Sequence, residues 1–317
     1  MYSSKHIADS ISGSVPDGFF FDAICGKGSE TIAYRVHDCN GKLFALKMPL
    51  DNIDQDAWFA KQIQAVNNRK QFCYGYKGDV FVPQCVQLEK GYSLEEFASG
   101  EPLTYELYQA LSQEDKAFLS KQLAEFIANA HRQTFSSQHK RIDVDNARIN
   151  LDEGVHFLLE KHAISEKEAS VYLRLATKFS ERDSDDEIMC LVHRDICEEN
   201  LLYDHRLKCL SVIDFSSSRM GCVYEDFIPA FNHLSLSTPY LFFADVIQHY
   251  NSMFGCIMIQ QEKVTTHHYL SAINEVAVIA LCQKLNDHDV AHLVRTLLFP
   301  LLNRITEALS ASDNQGV

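Results

Sequence analysis

Between Phe19 and about Phe97 short apolar, β-branched and aromatic runs are broken by Gly, Asn and Asp, the texture of strands and turns. Phe19–Ile24, Ile32–His37 and Leu43–Met48 read as three strands. Asp38-Cys39-Asn40-Gly41 reads as the turn between the last two, because Asn-Gly tolerates the positive φ of a tight hairpin. Asp56 to about Val66 has helical character, with Trp58, Phe59, Ile63 and Val66 able to share a face, and Val80–Val82, Val86–Glu89 and Tyr92–Phe97 read as further strands. After Ser99-Gly100-Glu101-Pro102 the period changes. Phe118, Leu119, Leu123, Phe126, Ile127 and Ala130 recur at spacings of three and four behind Ser112-Gln113-Glu114-Asp115, where Ser112 is the expected N-cap. Segments 151–180 and 240–310 are also mostly helical in pattern, and Met189–His193, Asn200–Tyr203 and Cys209–Phe215 are short apolar runs flanking polar loops between them. The expected fold is α+β and bilobal: a small antiparallel sheet with one helix over residues 1–97, a hinge near 97–102, and a larger, mostly helical lobe over 98–317.

Composition narrows the function classes. In 317 residues, 46% apolar and 23% charged content is that of a globular protein. The formal net charge of −14 disfavours general binding to nucleic acid or to an anionic membrane surface, and would suit a cationic ligand. Ten cysteines at 25, 39, 73, 85, 190, 197, 209, 222, 256 and 282 include no C-x-x-C pair and no clustered Cys/His set, so zinc spacing is absent. They read as reduced, mostly buried thiols. The N-terminal residues lack an apolar core of signal-peptide length and no run approaches the roughly 20 apolar residues that cross a bilayer, so a soluble, cytoplasmic protein is expected.

The chemistry concentrates in Leu191-Val-His-Arg-Asp-Ile-Cys-Glu-Glu-Asn-Leu-Leu-Tyr203 and in Leu210-Ser-Val-Ile-Asp-Phe-Ser216. Two short apolar runs each lead into a loop bearing a carboxylate, Asp195 and Asp214, and Asn200 stands five residues past the first. One loop can thus supply a base and then a neutral oxygen ligand, and the other an anionic oxygen. Mg²⁺ prefers such hard donors and leaves part of its shell to phosphate oxygens and water. The order matches the phosphoryl-transfer template of an H-R-D-x-x-x-x-N loop followed by a metal-binding Asp-Phe pair.

On these residues the chain resembles the protein-kinase-like superfamily, and within it the aminoglycoside phosphotransferase and choline kinase branch. His193-Arg194-Asp195 with Asn200, and Val212-Ile213-Asp214-Phe215, are similar to that branch's signature loop and I-D-F motif, and Gly221 through Asp226-Phe227 to its following G-x-x-x-x-D stretch. Gly26-Lys27-Gly28-Ser29-Glu30-Thr31 resembles the nucleotide-covering hairpin, Phe44-Ala45-Leu46-Lys47 the lysine strand, and Ser99–Thr104 the segment past the hinge.

The resemblance implies a protein-kinase-like fold and a set of roles. Asp195 would take the acceptor's proton, and Asn200 and Asp214 would hold Mg²⁺. Lys47 would contact the α- and β-phosphates of ATP or GTP, beneath backbone N–H groups of the Gly26, Gly28 and Ser29 hairpin. The purine edge would be read by backbone near Glu96 and Ala98. Asp226 would brace the catalytic loop, and His193 and His131 are expected as scaffold residues. Several positions depart from the family pattern. The superfamily pairs its strand lysine with a helix glutamate, yet residues 50–70 contain no Glu; Asp54 or Asp56 is the expected substitute, Asp56 being preferred because it opens the helix. Thr31 stands for the third hairpin glycine and Ser216 for the glycine after Asp-Phe, and Glu198-Glu199 fill the catalytic loop where relatives carry a small residue and glycine.

The implied activity is phosphorylation of a hydroxyl on a small polar molecule. Glu198 and Glu199 near the base, with Asp143, Asp145, Asp152, Glu153, Glu160, Glu166 and Glu168, favour a cationic, aminoglycoside-like acceptor. Choline, a methylthio-sugar or an amino-acid alcohol is the alternative. A protein kinase is disfavoured because Asp226 follows Asp214 at an interval of only twelve residues, too short for a peptide-docking activation segment. A non-catalytic scaffold is disfavoured because it needs none of Lys47, Asp195, Asn200 and Asp214.

Overall fold

Side chains alternate across a strand, and that alternation decides which N-terminal residues turn inward. In the computed structural model, which describes residues 15–28, 30–134, 154–171, 173, 189–227, 239–254, 259 and 286–295, β1 (Phe19–Lys27), β2 (Thr31–Asp38) and β3 (Leu43–Pro49) form an antiparallel meander. The meander is extended by β4 (Cys85–Glu89) and β5 (Tyr92–Glu96) in the order β1-β2-β3-β5-β4. Tyr34, Val36, Phe44, Leu46 and Leu94 bury one face, with Phe19 edge-on to Phe44 at 5.3 Å. The Asn-Gly turn closes as expected: Gly41 has φ +79° and donates to Asp38 O at 3.0 Å. The Asp38 carboxylate accepts the N–H groups of Lys42 and Asn40, which hold its pKa below the ordinary value.

The helix after the lysine strand, α1 (Gln55–Phe72), is longer than its apolar pattern predicts and turns a different face inward. Asp54 caps it by accepting from Ala57 N at 2.7 Å. Its buried stripe is Trp58, Gln62, Ala65, Arg69 and Phe72, spaced three and four apart, whereas Ile63 is exposed. Two polar side chains therefore occupy inward positions, and the apolar face expected from Phe59, Ile63 and Val66 is not the buried one. Val80–Val82 is no strand either; Phe81 makes a single parallel bridge to Ser211.

That bridge belongs to a second small sheet, β6 (Glu101–Pro102), β8 (Leu201–Asp204) and β9 (Cys209–Val212) in the order β6-β8-β9; β7 (Met189–Val192) pairs instead with β10 (Arg219–Cys222). Gly100 is required beside β8, since its φ is +110° and a Cβ there would stand 2.6 Å from the Tyr203 carbonyl carbon. The chain divides into two compact units, Met1–Leu103 with Glu199–Ser218, and Thr104–Glu198 with Arg219–Val317. The division is thus not one cut in the chain, because residues 98–103 and 199–218 group with the N-terminal strands.

In the second unit α2 (Tyr105–Ala110) is capped by Thr104, and α3 (Gln113–Thr134) by Ser112, whose hydroxyl accepts from Asp115 N at 3.1 Å. The spacing of Leu119, Leu123, Phe126, Ile127 and Ala130 puts them all in the core. α4 (Pro239–Phe254) packs on α3, and α5 (Asp287–Leu293) is capped by Asn286. Residues 154–160 and 166–171 are helical; the rest of the helices expected over 151–180 and 240–310 lies largely outside the described residues. None of the eight described cysteines forms a disulfide. Cys190, Cys197 and Cys222 are buried, but Cys25 and Cys39 are exposed, so the expectation of mostly buried thiols fails for the N-terminal sheet. Among the described residues no helix is long and apolar enough to cross a membrane.

Candidate active site

Lys47 of β3 lies with Ala45 on the face opposite the buried Phe44 and Leu46, and its ammonium meets Glu95 Oε2 at 3.1 Å. Register explains the pair. Lys47 stands opposite Ser93 on β5, so Glu95, two residues on, is its diagonal neighbour on the same face and within reach of two long side chains. The other Glu95 oxygen is 3.3 Å from Arg69 Nη1 of α1, which also donates to Pro83 O at 2.6 Å. Burial pushes the Lys47 ammonium down, but the Glu95 and Asp214 carboxylates outweigh it and hold its pKa above the ordinary lysine value. Asp56 is not the partner of Lys47. It pairs with Lys90 at 2.7 Å and is 78% exposed. At 3.6 residues per turn Asp56 lies about 200° around α1 from Trp58, on the side away from the buried stripe. The carboxylate at this lysine comes from a strand, not from the helix.

The Asp214 carboxylate of the I-D-F loop contributes to the field that keeps Lys47 charged. Ile213 N donates to Asn200 O at 3.0 Å, and Leu201 pairs with Val212, so the two loops that carry Asn200 and Asp214 leave adjacent strands. Asp214 has φ +61°, uncommon for a non-glycine residue, and its carboxylate accepts from Ser216 N at 3.1 Å. α1 supports this loop: Phe72 packs edge-on against Phe215 at 5.6 Å, and the Asn68 amide donates to Ser218 O. Among the described residues no group of three or more His, Cys, Asp or Glu could hold a metal. The amide oxygen of Asn200 and the carboxylate of Asp214 are hard donors of the kind that could hold a Mg²⁺ ion.

The hairpin between β1 and β2 closes through Gly28 N, which donates to Thr31 O at 2.8 Å, so that N–H serves the turn itself. Gly26 lies at a register shift of β1, and Ser29 lies outside the described residues. The same turn is tied to α1, with Trp58 Nε1 donating to Thr31 Oγ1 at 2.9 Å and Lys61 meeting Glu30 at 2.6 Å. Of the segment expected to read the purine, Glu96 N donates to Gln84 O at 2.9 Å, and Ala98 is buried.

Asp195 belongs to the second unit and is half-buried there. Its N–H donates to His193 Nδ1 at 3.3 Å, and His193 is fully buried. Arg194 between them adopts φ +71°, held by Asp226 Oδ1, which accepts Arg194 N at 2.8 Å. The other Asp226 oxygen meets His131 Nε2 at 3.1 Å, and His131 Nδ1 faces the Tyr250 hydroxyl at 2.9 Å. Glu225 takes Arg194 Nε at 3.2 Å and Arg219 Nη2 at 3.1 Å. Gly221 is needed beside it, because a Cβ would stand 2.6 Å from Glu225 Oε1 and 2.7 Å from Val192 Cγ2. Glu198 and Glu199 open a single 3₁₀ turn that ends at Asn200, Glu198 half-buried and Glu199 exposed. Of the remaining acidic residues, Glu160, Glu166 and Glu168 are described, and Glu168 caps its own turn by accepting from Ser165 N at 2.7 Å; Asp143, Asp145, Asp152 and Glu153 lie outside the described residues. The residues that the sequence did not single out are Glu95 and Arg69, each a charged side chain inside a stretch that otherwise reads as a plain strand or helix.

The model of the phosphotransferase enzyme family matches residues 26–256, more than half of the chain. The fold is similar to that of a GDP complex of wild-type aminoglycoside 2'-phosphotransferase-IIIa, at 16% identity and a TM-score of 0.66, covering 96% of this chain and 100% of that one. The ADP-bound aminoglycoside phosphotransferase APH(2'')-Ib matches at 16% identity and a TM-score of 0.62, covering 94% and 98%. An ethanolamine kinase from Plasmodium vivax matches at 14% identity and a TM-score of 0.59, covering 94% and 85%. The fold is therefore the protein-kinase-like one expected from the motifs. No curated protein matches the sequence.

Proposed function

The chain belongs to the phosphotransferase enzyme family, and from that premise we propose that it is a Mg²⁺-dependent kinase that moves the γ-phosphoryl group of ATP or GTP to a hydroxyl of a small, cationic, aminoglycoside-like molecule. One observation carries the reading. Lys47, Asp214 and Asn200 share one compact unit, with Lys47 held charged by its carboxylate neighbours and the two metal-ligand candidates on loops that leave paired strands. A half-buried, charged lysine beside hard oxygen donors suits a polyphosphate.

In this reading Asp195 orients the acceptor hydroxyl and takes its proton as the acceptor oxygen bonds to the γ-phosphorus. The bond from that phosphorus to the β–γ bridging oxygen breaks, and the nucleoside diphosphate leaves with the electron pair. Lys47 offsets negative charge on the phosphates. When bound, Mg²⁺ held by Asn200 and Asp214 would neutralise charge on the same oxygens. Asp226 keeps the catalytic loop in its strained backbone form, which fixes where Asp195 starts.

Support for a cationic acceptor comes from the net charge of −14 and from Glu198 and Glu199 within four residues of the base. Aminoglycosides and ethanolamine, named for the structural relatives, both carry an amine and a hydroxyl. An amino-alcohol metabolite is therefore the second reading, favoured by the likeness to the ethanolamine kinase. The test is transfer of labelled γ-phosphate from ATP and GTP to a panel of aminoglycosides and amino alcohols. Asp195→Ala should keep Mg²⁺-nucleotide binding and lose about a hundredfold or more in transfer. Label that reached protein and no small molecule would overturn the acceptor class, and a wild-type chain that bound neither nucleotide would end the kinase reading.

A further inference from the structure

Three charged side chains from three elements meet within the first unit: Lys47 of β3, Glu95 of β5 and Arg69 of α1. Glu95 is 6% exposed and Arg69 5%, so both charges are taken out of water. Burying charges in this way is poor as a source of stability, because desolvation cancels most of the attraction. Two apolar residues would serve the fold as well. The geometry is directional. Each Glu95 oxygen has its own cation, Oε2 for Lys47 and Oε1 for Arg69, and Ser93 Oγ lies 3.5 Å from Oε1. Arg69 is itself pinned by donation to Pro83 O. The flexible stem of Lys47 thus ends in an ammonium held by a carboxylate that cannot swing, because a fixed guanidinium holds its other oxygen.

We infer that Glu95 is the positioning residue for Lys47, and that α1 acts on Lys47 at one remove, through Arg69. This rests on the kinase reading, since it assigns Lys47 to the nucleotide phosphates. Glu95 touches no reacting atom. It sets where the phosphate-binding ammonium sits, and Arg69 sets where Glu95 sits.

The experiment is calorimetric titration of wild type and variants with ADP–Mg²⁺ and GDP–Mg²⁺, and with adenosine and guanosine, which lack phosphates. Glu95→Gln should weaken the preferred diphosphate about tenfold and leave the matching nucleoside within about twofold, because only phosphates feel the ammonium. In a Lys47→Met background Glu95→Gln should add less than about a further twofold, since a positioning residue has nothing left to position. If Glu95→Gln alone does not fold, Glu95→Gln with Arg69→Met removes the unpaired buried guanidinium. That double variant should recover the wild-type melting temperature but keep the tenfold diphosphate defect. Equal losses for diphosphate and nucleoside, multiplicative losses with Lys47→Met, or recovery of diphosphate affinity in the double variant would each overturn the inference and leave Glu95 a fold residue. A wild-type chain that bound no diphosphate would overturn this inference together with the kinase reading. Normal wild-type binding with an unaffected Glu95→Gln would overturn this inference alone.

Discussion

Both compact units keep a carboxylate out of water, and they use it differently. In the first, Glu95 is shared by two side-chain cations, Lys47 and Arg69. In the second, Asp226 gives one oxygen to the backbone N–H of Arg194 and the other to the His131 imidazole. The first arrangement places a charge at the end of a flexible side chain. The second places a segment of main chain, at a residue whose φ of +71° would not be kept without support. A carboxylate holding backbone should matter first to folding, and one holding a mobile cation first to binding.

The sharpest break of that contrast is at Asp226. Asp226→Ala strands Arg194 N and His131 in the interior and should cost on the order of 3 kcal/mol in urea unfolding. Asp226→Asn keeps an acceptor for Arg194 N and should cost clearly less; equal costs would mean that the backbone bond matters little. His131→Phe leaves Asp226 with the backbone bond alone and should cost about 2 kcal/mol in the same assay.

Effects on the first unit's structural ties should be smaller. Trp58→Phe removes the bond to Thr31 that tethers the hairpin and should cost roughly 1 kcal/mol. Lys61→Ala removes a partly exposed ion pair with Glu30 and should shift stability by less than about 0.5 kcal/mol, less still at high salt.

The contrast also has a pH signature. The Lys47 pKa is raised above its ordinary 10.5, so pairing with Glu95 and Asp214 contributes fully below that value and is lost only as pH rises through the higher folded one. The stability difference between wild type and Lys47→Met should therefore stay flat between about pH 6 and 9, as measured by unfolding across buffers. A difference that shrank within that window would place Lys47 among the neutral amines.

Much of this architecture is legible one residue at a time. The hairpin at Asn40-Gly41, the Ser112 cap and the apolar spacing of α3 are local, and each follows from backbone or periodic rules that need no partner. Loop chemistry is legible for the same reason, since Asp195, Asn200 and Asp214 are recognised by order and spacing. Three expectations were not local. The apolar pattern of α1 points to Phe59, Ile63 and Val66, but the helix buries the stripe from Trp58 to Phe72, in which Arg69 is paired with Glu95 and Pro83 O. The family resemblance puts the lysine's carboxylate in the helix, whereas strand register brings Glu95. Residues 80–82 looked like a strand but supply one bridge to Ser211.

By itself, then, the order of residues determined the kinase-like pattern, the loops proposed to carry its chemistry and most of the local elements, because propensity, capping and spacing act over a few residues. Only the tertiary structure decided which charge answers Lys47 and which side of α1 is buried. Those outcomes depend on the register between β3 and β5 and on desolvation shared among three elements, quantities that no single segment carries.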